Sequence, residues 1–337
     1  MRPRLRTIAL AVSPLLMAFG VVLQQQPVMA QLPLPQQPIG VHIMYVEPTN
    51  PAFRPIYDRL KQRQILEQFK QFMAPLKLPS PLIVSLEGCN GKVNAWYSPS
   101  QSKITYCYEL IATIERLVAK SELLPGFRRE DALVGGFVQI LLHETSHAVF
   151  HLLDIPVFGR EEDAADALAE FTLLRLGDKV ARRTLTGTAF IWRAMELAGD
   201  RNRSFEDFSD EHGTHAQRFY NALCIAYGSD QVEGTHLFDD FVQRKLLPPE
   251  RQGHCPKEYY HAKNSFTKLI VPHVDQAMMK KVQATDWLRS EDGTDILPPE
   301  STGGGGGQGP LGPGPAGGGT GGQQGPLGPG PGAPGPR

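Results

Sequence analysis

The sequence predicts an α+β fold, a small antiparallel sheet with a hairpin at its edge packed on a bundle of helices. Three observations carry that expectation. Short apolar and aromatic segments with strand character lie between residues 41 and 108, the last two of them flanking a polar Ser-Pro-Ser-Gln-Ser turn. From Glu109 onward apolar residues recur at helical spacing, interrupted at Pro156 and Gly159. One of those helices contains His143-Glu144-Thr145-Ser146-His147, an H-E-x-x-H pattern inside an apolar stretch that runs back to about Ala132.

Residues 1–30 read as a secretory signal peptide. Arg2, Arg4 and Arg6 precede an apolar run from Ile8 to Leu23, and Val28-Met29-Ala30 places small residues at −3 and −1 of a cut after Ala30. A membrane anchor is the alternative, but Pro14 interrupts the run and the site resembles a cleavage site. Losing those three arginines takes the formal charge from −1 to −4, a balance with no basic footprint for nucleic acid. No later run is apolar enough to expect a stable membrane span. A secreted or periplasmic protein is therefore expected.

The Pro-rich residues 31–39 read as an extended linker, residues 40–297 as one domain, and residues 298–337 as a disordered Gly/Pro-rich tail. Within that tail Gln-Gly-Pro-Leu-Gly-Pro-Gly-Pro occurs at 308–315 and again at 324–331, without the strict every-third glycine of a collagen helix.

Inside the domain, Val41 to Val46 and Leu82 to Leu86 read as strands, with one amphipathic helix from Ile56 to Met73 between them. Val93 to Tyr97 and Ile104 to Tyr108 form the expected hairpin. Helices follow over Glu109 to Lys120 and Ala132 to Leu153, then Arg160 to Leu176 after the break, so the chain doubles back. Later helices are expected over Thr184 to Ala198, Ala216 to Tyr227 and Tyr259 to Ile270. Four cysteines, an even number in an exported chain, suit two disulfides. Proximity favours Cys89 with Cys107 and Cys224 with Cys255. The alternative is a second metal site that includes His254, although no C-x-x-C pair is present.

The H-E-x-x-H pattern has a chemical logic. Positions i and i+4 share a helix face, so His143 and His147 can hold one Zn²⁺ while Glu144 stands beside it. Glu144 would then take the proton from a zinc-activated water and pass it to the leaving amine. The competing reading is a core helix with two satisfied histidines.

The returning helix bears on that choice. Glu162, Ala165, Asp166 and Ala169 share a face, and two alanines there permit close helix approach. A carboxylate in the first turn, Glu162 above Glu161 and Asp163, can reach the metal. Asp166, one turn on, can accept the second ring N–H of a ligating histidine. His151 lies about 12 Å along the helix from His143, too far to share an ion, and reads as a capping or outer residue.

H-E-x-x-H followed by Glu162-x-x-Ala165-Asp166-x-x-Ala169 resembles the gluzincin branch of zinc peptidases. The wider pattern is similar to the DUF4344 family of metallopeptidases over roughly residues 40–275. It runs from Cys89-Asn-Gly and Asn94-Ala-Trp-Tyr through Cys107-Tyr-Glu-Leu to Asp210-Glu-His-Gly and Gln217-Arg-Phe-Tyr-Asn-Ala-Leu-Cys224. The resemblance implies a zincin-like fold, zinc ligands His143, His147 and Glu162, Glu144 as base and Asp166 behind a ligand. It also implies an edge strand in which Asn94 and Ala95 pair with substrate backbone, for which an ordinary hairpin is the alternative. His212 is the matching candidate for stabilising an oxyanion; the alternative there is a solvated loop capped by Asp210, with Arg218 pairing to Asp210 or Glu211. The function expected is zinc-dependent hydrolysis of a peptide or protein. The alternative is a secreted zinc-binding protein that holds a partner without cleaving it.

Overall fold

The computed structural model describes residues 39–122, 127–199 and 205–285. The expected signal peptide, nearly all of the linker and the Gly/Pro-rich tail lie outside the described residues.

The first half is a sheet with helical crossovers. Strand β1 (Val41–Tyr45) leads through helices α1 (Arg54–Gln62) and α2 (Ile65–Met73) to β2 (Leu82–Glu87). The hairpin strands β3 (Ala95–Ser98) and β4 (Lys103–Cys107) follow. The sheet order is β1-β2-β4-β3, and only the β3–β4 pair is antiparallel. The expectation of an antiparallel sheet is thus corrected to a mixed one, while the hairpin edge stands. Two helices between β1 and β2 are long enough to carry the chain back over the sheet, and such a crossover returns a strand parallel to the first. Central β2 accordingly buries Leu82, Val84 and Leu86 completely.

Helix α1 and helix α2 were expected as one. They share an apolar side, burying Ile56, Tyr57 and Leu60, then Ile65, Leu66, Phe69 and Met73. Gln64, at φ 51° in the left-handed region, separates them. A left-handed residue is invisible to periodicity when it is not glycine.

Cys107 ends β4 and helix α3 (Tyr108–Lys120) starts at once. Its Glu109 accepts hydrogen bonds from the backbone N–H groups of Cys89 and Gly91, each at 3.0 Å. That carboxylate and the Cys89–Cys107 disulfide pin the β2–β3 loop.

Helix α4 (Arg129–Leu152) is buried on nearly all sides, the property of a helix with other elements packed around it. It lies against α3, β3, β4, the returning α5 (Glu161–Leu173) and α6 (Asp178–Ala198). Helices α7 (His215–Glu233), α8 (Asp240–Gln243), α9 (Pro249–Gln252), α10 (Cys255–Ser265) and α11 (Gln276–Gln283) follow among the described residues. The Cys224–Cys255 disulfide joins α7 to α10. Both cysteine pairs follow proximity, which consumes the sulfurs that a second metal site with His254 would have needed. None of the described helices is long and apolar enough to cross a membrane.

Two glycines set how closely α4 and α6 approach. A Cβ on Gly187 would stand 1.7 Å from the Asp131 carbonyl oxygen, and one on Gly135 would stand 2.4 Å from the Thr184 carbonyl oxygen. The obstructing atoms are backbone, so the helices themselves would have to separate. Gly187→Ala is therefore expected to lower stability by about 1–3 kcal/mol, toward the upper end, read by chemical denaturation. An unchanged denaturation midpoint would mean that the two helices are farther apart than this.

Candidate metal centre

Helix α4 presents His143 and His147 one turn apart, with ring centroids 4.8 Å apart and Nε2 atoms 3.2 Å apart. The break after Leu152 lets α5 run back against the same face. Asp154 (φ 52°) and Gly159 (φ 97°) make that reversal. Ala165 and Ala169 of α5 are fully buried, and with methyl side chains at the contact the first turn of α5 can stand beside the histidines.

The first turn of α5 delivers Glu162. Its Oε2 lies 3.0 Å from His143 Nε2, 3.3 Å from His147 Nε2 and 2.8 Å from His212 Nε2. His212 comes from the loop that precedes α7, its ring stacked 5.7 Å from that of His143. Ligand atoms of His143, Glu162 and His212 lie within 4.8 Å of one another. His212, the candidate for stabilising an oxyanion, thus stands in the same cluster instead of on a solvated loop. Asp210 does not cap α7 either. Thr214 does, through a capping box with Gln217.

The opposite nitrogens are also occupied. Nδ1 of His143 lies 2.8 Å from Asp166, Nδ1 of His147 lies 2.7 Å from Glu161, and Nδ1 of His212 lies 3.2 Å from Asp210. A carboxylate behind an imidazole fixes the tautomer that leaves Nε2 free to ligate, and it makes that nitrogen more basic. Here the same device occurs three times.

Asp166 is the most deeply anchored of these. Arg218 of α7 grips it through Nε to Oδ2 at 2.7 Å and Nη2 to Oδ1 at 2.5 Å, and Gln139 Nε2 adds a third bond at 3.0 Å. The guanidinium stacks 3.7 Å from the Trp192 ring centroid, a cation–π contact that holds its plane. Arg218 therefore does not pair with Asp210 or Glu211 as expected, because its helix turns it inward, 3% exposed. Periodicity gave no sign of this, since a buried arginine reads as a surface one until its partner is known. One turn beyond Asp166, Glu170 is also buried, with neither carboxyl oxygen hydrogen-bonded. Burial, and then Asp166, push its pKa well above the ordinary carboxylate value.

Charge is distributed accordingly. Burial disfavours the charged form of His143, but Asp166 and Glu162 outweigh it and raise its pKa. Burial is likewise outweighed at His147, where Glu161 and Glu162 lift the pKa to about 10. Burial would raise Glu162, yet the three imidazoles hold it well below its usual range. Asp166 is held down against burial by Arg218 and His143.

Glu144 is 8% exposed. After burial, its charge helps push the Tyr106 phenol of β4 well above the usual value. Asn94 and Ala95 are both buried at the start of β3. Asn94 Oδ1 accepts the Ala95 N–H at 3.0 Å, and Ala95 pairs with Tyr106. Strand β3 is one of the sheet's two outer strands, and Tyr97 Oη meets His151 Nδ1 at 2.8 Å. His151 thus ties the strand to the last turn of α4 and takes no part in the cluster. Asp163 pairs with Arg160.

These side chains fit a zinc ion. Zinc–nitrogen and zinc–oxygen bonds of ~2.0–2.2 Å place tetrahedral donor atoms about 3.3 Å apart. The separations of 3.0, 3.2 and 3.3 Å among His143, His147 and Glu162 match that spacing.

A metal ion bound here would have to displace protons from this cluster. In the metal-free chain the imidazolium–carboxylate contacts stabilise the fold fully below the ordinary histidine pKa. They are lost as pH rises through the raised value, about 10 for His147. Metal binding at pH 7 is therefore expected to release protons, and apparent affinity should fall as pH is lowered. Calorimetry in two buffers of different ionisation enthalpy measures this, and buffer-independent heats would contradict the protonation described. Asp166→Asn should weaken zinc binding about 10- to 100-fold in a competition assay with a chromogenic chelator.

The family described as putative metallopeptidase, DUF4344, matches residues 45–270. Comparison with curated proteins and with solved structures returns no match.

Proposed function

The chain belongs to the DUF4344 family of putative metallopeptidases, and on that premise we propose that it hydrolyses peptide bonds with a zinc ion held by His143, His147 and Glu162 and with Glu144 as general base. One observation carries the reading: the Nε2 atoms of the two α4 histidines and the Glu162 carboxylate oxygen converge at zinc-ligand spacing, each imidazole backed by its own carboxylate.

A bound zinc ion supplies a Lewis acid and lowers the pKa of a water to roughly 7. The chain's own groups do the rest. Glu144 follows His143 on α4, and a base there can receive the proton of the attacking water and hand it to the departing amine. Asp166, clamped by Arg218, keeps His143 from turning. Outer strand β3 offers backbone groups along which an extended peptide can lie, with Asn94 and Ala95 at its start.

The substrate class is a peptide or protein, reached outside the cytoplasm. The two disulfides support an oxidising compartment, and a formal charge of −1 gives the chain no overall basic balance to favour nucleic acid.

Glu144→Gln separates chemistry from metal binding. Hydrolysis of a quenched fluorescent peptide library should fall by about 10²–10⁴, while elemental analysis finds the same zinc content as in the wild type. Undiminished cleavage in a zinc-loaded variant would remove Glu144 as the base.

A further inference from the structure

One buried hydroxyl is left over from the packing of the sheet. Tyr106 of β4 is fully buried, and its phenol oxygen has no hydrogen-bond partner among the described residues. The other fully buried tyrosines there are paired: Tyr108 donates to the Val46 and Leu86 carbonyls at 2.8 and 2.9 Å, and Tyr259 donates to Glu233. A phenylalanine at 106 would pack as well and spare the desolvation cost of an unpaired donor. We infer that the Tyr106 phenol is a positioning residue for Glu144, the O–H donor that steadies its carboxylate while it takes and returns the proton of the attacking water. The inference rests on the reading of Glu144 as base and names a group that acts on it.

Helix and strand periodicity place the two residues face to face. Phe137, Glu144 and His151 follow one another at intervals of seven along α4, and a heptad drifts only about 20° around a helix, so the three share one face. Both outer members touch the hairpin. The Phe137 ring lies 4.8 Å from that of Tyr106, and the His151 ring 5.8 Å from that of Tyr97. Tyr106 pairs with Ala95 in the β3–β4 register and Tyr97 follows Ala95 by two residues, so both tyrosines lie on the same side of the sheet. Glu144 stands between these contacts, on the helix face against which the hairpin packs.

Two turns, about 10.5 Å along the axis, separate Phe137 from Glu144. A tyrosine and a glutamate side chain extended towards each other span that distance. The charge of Glu144 reaches the phenol, which it helps, after burial, to keep protonated and hence a donor. Hydrogen bonds to a catalytic base are often long before substrate binds and tighten in the complex. Held between the sheet and Phe137, the Tyr106 hydroxyl is a fixed point against which the longer Glu144 side chain can settle.

Tyr106→Phe removes the oxygen alone. In the zinc-loaded protein, kcat on a quenched fluorescent peptide is expected to fall about 10-fold, with KM and zinc content unchanged. The chemical-denaturation midpoint should stay level or rise, since an unpaired buried donor is lost; a hydroxyl that served packing would lower it. In a Glu144→Gln background the same substitution should leave the residual rate unchanged, because a residue that acts through Glu144 then has nothing to act on. Wild-type kcat in Tyr106→Phe, a lowered midpoint, or an equal loss in both backgrounds would overturn the inference and leave the base in place. Wild-type cleavage by Glu144→Gln itself would overturn the base and the inference together, so the two failures are distinct.

Discussion

The carboxylate of Asp166 is 5% exposed where α4, α5 and α7 meet, and placing a lone charge there would cost roughly several kcal/mol. The fold offsets that cost with a bidentate guanidinium, an amide and an imidazole, all within 3.0 Å. Each partner comes from an element that must be docked for the bond to exist: Gln139 and His143 from α4, Arg218 from α7. A buried network of this kind is satisfied only in one arrangement of its helices, which makes it a register device as much as a ligand support. Trp192 of α6 extends it to a fourth helix by stacking on Arg218. The orientation of His143 is thus coupled to the packing of the whole helical half.

The same coupling explains why α4 is so uniformly buried. A helix that carries two clustered histidines on one face still has to be held on the others, and here α6 does so at glycine contacts while the hairpin packs against it as well. Tyr97 and His151 complete that arrangement by joining the outer strand to the end of α4. Strand β3 and the His143–His147 pair are therefore fixed relative to one another by short-range contacts. His212, on the loop before α7, meets them through Glu162.

Sequence and structure agree where a local rule was sufficient. H-E-x-x-H on an apolar helix, a reversal at a glycine, and an Ala-spaced acidic helix after it specify His143, His147 and Glu162, because helical periodicity alone decides which side chains share a face. Short sequence separation likewise served for both disulfides. The sheet was different. Each strand was recognisable, but direction depends on the path between strands, and the two helices between β1 and β2 turn an expected antiparallel pair into a parallel one. The hairpin at the edge was legible since its turn is local.

What the sequence determined by itself is local placement: two imidazoles and a carboxylate at fixed spacing, a further acidic residue one helix later, and cysteines paired with near neighbours. Tertiary structure alone decided the company those residues keep. Arg218 and Asp166 are 52 residues apart in the chain, and His212 and Glu162 meet across a loop and a helix boundary. No periodicity links such positions, because their proximity is created by helix docking, and docking is driven by apolar burial spread over residues that carry no chemistry of their own.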